Sequence, residues 1–186
     1  MRRARSRWSL LGSLALAVSL VLAAVPPADA QVVRAHDAQG DATGRYQADL
    51  RAVRVDHRAH GVLIDIVGDA ADYYQVWIDL DPADPGPERL VVLSLETLAP
   101  SVHTVNSFSR ATIVGTQPLS PSVCSSPVVR ASFRPGSRHV LLDVPRACLG
   151  DPARVRVAVQ AAMDHPGTTT DWAPRRRHFG PWATSG

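Results

Sequence analysis

"YYQVWIDLDPADPGPERLVVLSL", residues 73–95, alternates apolar and polar residues, breaks at a run of aspartate and proline, and resumes as a second apolar run. Successive side chains of an extended strand point to opposite faces. Tyr74, Val76, Ile78 and Leu80 therefore fall on one side, and Tyr73, Gln75, Trp77, Asp79 and Asp81 on the other. Asp-Pro steps favour turns, proline presets φ, and Gly86 tolerates positive φ, so the centre reads as a rigid hairpin connection.

The same period of two recurs along the chain. "VRV" (53–55), "VLIDIV" (62–67), "YYQVWIDL" (73–80), "RLVVLSL" (89–95), "VHTVNSF" (102–108), "VVRASFR" (128–134), "HVLLDV" (139–144) and "RVRVAVQA" (154–161) read as eight strands. Gly61, Gly68, the Pro82–Gly86 stretch, Pro135-Gly136 and "LGDP" (149–152) separate them. In the last strand Val155, Val157 and Val159 are expected inside, with Arg154, Arg156 and Gln160 facing water. One apolar face per strand predicts an all-β fold: a two-sheet antiparallel β-sandwich of about eight strands, with a closed barrel as the alternative.

Residues 1–30 read differently. "MRRARSRW" carries four arginines and no acid, and an apolar run follows over residues 8–25 before Pro26 and Pro27. Small residues in "ADA" (28–30) complete the layout of a cleaved secretory signal peptide; an uncleaved segment would instead be a membrane anchor. The expectation is a signal peptide over 1–30, a single domain over 31–186, and a secreted or extracytoplasmic location.

Cleavage changes the charge. The chain has 20 basic and 17 acidic residues; losing Arg2, Arg3, Arg5, Arg7 and Asp29 leaves 16 of each. A general nucleic-acid role thereby loses its electrostatic support. Residues 31–100 hold 6 arginines and 12 acids, and residues 101–186 hold 10 arginines and 4 acids, so the two halves attract. Cys124 and Cys148 are the only cysteines, and in an exported chain they predict one disulfide.

The aspartate loop is the nearest thing to a chemical motif. Asp79, Asp81, Asp84 and Glu88 follow the pattern D-x-D-x-x-D-x-G-x-E, and hard cations such as calcium take six to eight oxygens. A calcium site here competes with the simpler hairpin-turn reading, and the turn is preferred. Trp77 stands on the outer face near these acids, where its ring could stack on a sugar or be covered by a loop or the C-terminal segment; the covered reading is preferred. "DWAPRRRHFGPWATSG" (171–186) mixes Trp172, Phe179 and Trp182 with Arg175, Arg176 and Arg177. That mixture suits an anionic wall polymer or lipid headgroup, or else a closing strand whose aromatics pack inward. His57 and His60 read as a solvated turn. The chain has no nucleophile elbow, no H-E-x-x-H and no phosphate loop.

Several segments together resemble a group of small secreted proteins of high-GC Gram-positive bacteria: "DAQGD" (37–41), "DLRAVRVDH" (49–57), "VWIDLDPADPGPE" (76–88), "VPRACLG" (144–150), "RVRVAV" (154–159) and "DWAP" (171–174). The acidic start and the "IDLD" strand are also loosely similar to family 9 carbohydrate-binding modules and their DOMON relatives. That resemblance implies a sandwich; its members bind sugars, calcium or haem, and no catalytic residue is carried over. The function expected is a non-catalytic extracellular binding or structural domain. Its ligand would be an envelope glycan or wall polymer, with calcium as an optional cofactor and Trp77, Trp172, Arg175, Arg176 and Trp182 as ligand contacts. A secreted hydrolase with an unrecognised site, or a protein-interaction or inhibitor module, is the alternative.

Overall fold

The computed structural model describes residues 31–43, 48–69, 71–109, 118–126, 128–133, 139–163 and 169–186. The signal segment expected over residues 1–30 lies outside the described residues.

Two antiparallel sheets pack face to face. One runs in the order β1 (Val32–His36), β2 (Leu50–His57), β3 (Gly61–Gly68), β9 (His139–Pro145), β8 (Arg130–Phe133). The other runs β11 (Thr169–Ala173), β10 (Arg154–Met163), β4 (Tyr73–Asp79), β5 (Arg89–Ser94), β6 (Ser101–Thr104), β7 (Cys124–Ser125), and β12 (Ala183–Thr184) also pairs with β10. Among the described residues no strand pairing joins the sheets, so the fold is the sandwich and not the barrel.

Alternation set up this core. Val53 and Val55, Ile64 and Ile66, and Val140, Leu142 and Val144 from the first sheet meet Tyr74, Val76, Ile78, Val91, Leu93, Val155, Val157 and Val159 from the second. Each such side chain contributes roughly 1.5–3 kcal/mol when fully buried. The expected disulfide is present: Cys124 on β7 bonds Cys148, which sits on a single helical turn (Arg146–Leu149) after β9. It joins the edge of one sheet to the end of the other.

The outer face of the second sheet departs from expectation. Gln160 is 1% exposed and Arg156 is half-buried, although both were expected to face water. They share that face with a second apolar cluster of Trp77, Leu90, Ala158 and Trp172, against which Val105, Phe108, Leu119 and Phe179 pack. This face is long and apolar enough to need a cover, and the chain supplies one from segments outside the strands, including residues 105–108, which were expected to continue β6. β11 and β12 share one edge of β10, at Val159–Met163 and Arg154–Val155 respectively. The residues between them leave the sheet, reverse at the Arg175–His178 bridge and return across this face.

Candidate functional site

Three carboxylates meet at one end of the sandwich. Asp37 follows β1, Asp41 ends the next turn, and Asp171 lies within β11; an oxygen from each comes within 4.8 Å of the others. Local rules bring them there. Gly40 adopts φ of +82°, a left-handed conformation that glycine reaches without steric cost, and its N–H donates to Asp49 Oδ1 at 2.7 Å. The register between β2 and β3 shifts at Leu50/Ala52, a bulge that gives β2 one extra residue, Arg51. Arg51 then accepts the N–H of Asp37 at 3.0 Å through its carbonyl. Thr43 donates both its N–H and its hydroxyl to the carbonyl of Thr170, pinning the β1–β2 connection to β11.

The three acids are not equivalent. Asp171 is 4% exposed; its Oδ2 accepts the N–H of Leu50 at 2.6 Å and its Oδ1 that of Trp172 at 2.8 Å. Asp41 is exposed. Both oxygens of Asp37 are out of contact with solvent and have no hydrogen-bond partner. Burial, then repulsion from Asp171 and Asp41, pushes the Asp37 carboxyl up to about 7; the neighbouring Ala38 N–H, which does not reach hydrogen-bond geometry, opposes the shift only in part. Burial also raises Asp171, to about 6, although the Leu50 and Trp172 N–H groups pull the other way.

An all-oxygen set of three carboxylates suits a hard cation of the calcium or magnesium class and offers nothing to a soft metal. Such an ion would supply the counter-charge that the oxygens of Asp37 lack. Beside the acids opens a cavity of about 290 Å³, lined by Asp41, Thr43, Thr170, Asp171, Trp172, Arg175 and Arg176.

No family model, curated protein or solved structure matches the chain.

Of the acids expected to bind a cation in the 79–88 loop, Asp79, Asp81 and Glu88 have their carboxylates otherwise engaged, and Asp84 enters the turn through its backbone carbonyl. Asp79 is fully buried, and its Oδ2 accepts from Arg156 Nε at 2.7 Å. Burial raises its carboxyl above the ordinary range, with the Arg156 hydrogen bond and charge acting in the opposite direction. Asp81 Oδ1 accepts the N–H of Ala83, the carbonyl of Asp84 accepts the N–H of Gly86, and Glu88 Oε2 accepts the N–H of Leu80. Burial raises Glu88, opposed by that same Leu80 N–H. These four acids build a hairpin and pin it to β10. Among the described residues the convergent group is the one containing Asp37.

The expected ligand contacts divide. Trp77 is fully buried beneath Phe108, whose ring centroid is 5.1 Å away, so it is no sugar platform. Trp172 is 6% exposed and forms part of the cavity wall. Trp182 is half-buried, with Arg156 stacked 4.6 Å and Arg154 5.4 Å from its ring centroid. Arg175 and Arg176 are exposed on the cavity rim. His57, expected in a solvated turn, is fully buried, with Nδ1 3.3 Å from the carbonyl oxygen of Ala183.

Proposed function

We propose that this protein is a non-catalytic, extracytoplasmic binding domain whose ligand surface is the end of the sandwich organised by Asp37, Asp41 and Asp171 around a hard divalent cation of the calcium class. Envelope glycans or wall polymers are its ligands. The observation that carries this is the Asp37 carboxylate, removed from water without a hydrogen bond and placed among two other carboxylates. Leaving such a group uncompensated costs several kcal/mol, and an ion removes the cost. Export is supported by the basic and apolar character of residues 1–25 and by the Cys124–Cys148 disulfide.

A hydrolase is the second reading, because clustered carboxyls with raised values beside a cavity are also what acid–base catalysis uses. Convergence of three oxygens on one point favours the ion. Glycosidases use two carboxyl groups facing each other across a substrate, whereas here three carboxylates each turn an oxygen toward the others and Asp171 is tied to two backbone N–H groups.

Thermal melts in calcium, in magnesium and in chelator test the proposal. Calcium at about a hundred times its Kd should add about 2.7 kcal/mol, or roughly 5–10 °C for a domain of this size. Equal melts in calcium and chelator up to millimolar calcium, together with glycan cleavage abolished by Asp37→Asn, would favour the hydrolase.

A further inference from the structure

We infer that the ligand recognised at this end of the molecule is anionic: an acidic polymer whose carboxylate or phosphate oxygens complete the coordination of the bound cation and reach Arg175 and Arg176. The inference rests on the cation reading above and specifies its ligand. Three observations converge on it.

First, the cluster brings one oxygen from each of three carboxylates together, and both oxygens of Asp171 already accept backbone hydrogen bonds, so three ligands leave about half of the six to eight positions of a calcium ion open. Open positions on that ion would face the cavity, because Asp41 and Asp171 line it. Second, Arg175 and Arg176 are exposed on the rim of the same cavity, and among the described residues no carboxylate lies within ion-pair distance of either. The acidic cluster is their cavity neighbour, yet it does not neutralise them. Third, their placement is built by the fold. Arg175 pairs with His178 in a tight reversal, and the carbonyl of Arg176 accepts from His178 Nδ1 at 2.7 Å, which sets the two side chains at the tip of a defined hairpin.

A cation and two guanidiniums around one cavity attract the same chemistry: a negatively charged oxygen group, bound by the ion on one side and by charge-assisted hydrogen bonds on the other. A neutral sugar could accept hydrogen bonds from the guanidiniums but would offer them no opposite charge. Uronate carboxylates and phosphodiesters both offer the required oxygens, from different polymers.

The test measures binding of the purified full chain to three polymers of similar length: oligogalacturonate, poly(glycerol phosphate) and neutral dextran. Each is titrated in millimolar calcium and again in chelator. Binding of one or both acidic polymers in calcium alone, with dextran inert, is the expected result, and which acidic polymer binds identifies the source. Arg175→Ala/Arg176→Ala should weaken that binding at least tenfold while the calcium-induced rise in Tm persists. A calcium-induced rise in Tm without binding of either acidic polymer, or with dextran binding equally well, overturns this inference and leaves the cation site standing. Equal binding of an acidic polymer in chelator overturns the ion bridge. Absence of any calcium effect on Tm refutes the cation reading itself.

Discussion

A carboxylate withdrawn from water without a hydrogen bond raises the free energy of the folded chain until a proton or a cation joins it. Asp37 is in that position, with Asp41 and Asp171 adding repulsion. Asp37→Asn should therefore have two opposite effects. In chelator at pH 8 the variant should melt about 2–4 °C above the parent, an increment of roughly 1 kcal/mol, because a buried charge is gone. In calcium it should show no further rise. His57 carries a separate prediction. Its ring is fully buried, and burial, then the charge of Arg146, lowers its value below the usual 6.5 against the Ala183 carbonyl. The unfolded chain then binds more protons than the folded one below about pH 6.5, so this residue's contribution to stability falls as pH drops through that value. His57→Leu removes the contribution. Between pH 7.5 and 5.5 the Tm of the parent should fall relative to that of the variant; parallel curves would mean that His57 stays accessible to protons. The acids that titrate in the same range are common to both proteins and cancel in the comparison.

At the scale of elements, the bulged start of β2 and the end of β3 position the acids. A Cβ on Gly68 would stand 2.6 Å from the Asp49 carbonyl oxygen and 2.9 Å from the Leu50 Cα, both backbone atoms. Gly68→Ala should thus cost about 1–3 kcal/mol and displace Leu50, whose N–H holds Asp171. Chemical denaturation would read the first effect and a weakened calcium response the second. The hairpin over 79–88 behaves as a separate unit: Asp79→Asn breaks a charge-assisted bond to Arg156 and should cost about 2 kcal/mol without altering calcium binding. These elements were unequally legible in the sequence. Each of the eight strands read from alternation overlaps an observed strand, because one buried face per strand writes a period of two into the residues, although residues 105–108 of the fifth lie beyond β6. β1, β7, β11 and β12 escaped that reading: β7 and β12 have two residues each, β1 has no fully buried face, and β11 has no alternation of apolar and polar residues. The site escaped for a different reason. "DAQGD" and "DWAP" stand out only through the resemblance, and what brings Asp171 to Asp37 is the docking of the β1–β2 connection onto β11, through the Thr43–Thr170 bridge and the Leu50 N–H on Asp171, which no local spacing encodes. The "DLDPADPGPE" stretch has a ligand-like spacing, but the carboxylates of Asp79, Asp81 and Glu88 are engaged by backbone N–H groups and by Arg156, and Asp84 contributes its backbone carbonyl to the turn.

At the scale of the whole molecule, two devices hold the sandwich together beyond its core. The disulfide spans 24 residues and ties the sheets at the end of β9. Cys124→Ser/Cys148→Ser should lower stability by about 3 kcal/mol, read as a drop of roughly 6–12 °C in Tm. The outer layer over Trp77 is the second, with Arg156 stacked between Phe179 and Trp182 while bonded to Asp79. It covers the face that would otherwise offer aromatic rings to a ligand, and it leaves the acidic end with its arginine rim as the polar surface proposed to bind. The most direct test of that assignment is calorimetric titration of calcium into the chelator-treated protein and two variants. Saturable binding near one ion per chain, lost in Asp37→Asn/Asp171→Asn and retained in Asp79→Asn/Asp81→Asn, is the predicted result. Binding that survives the first pair of substitutions and disappears with the second would place the ion in the hairpin and contradict the account.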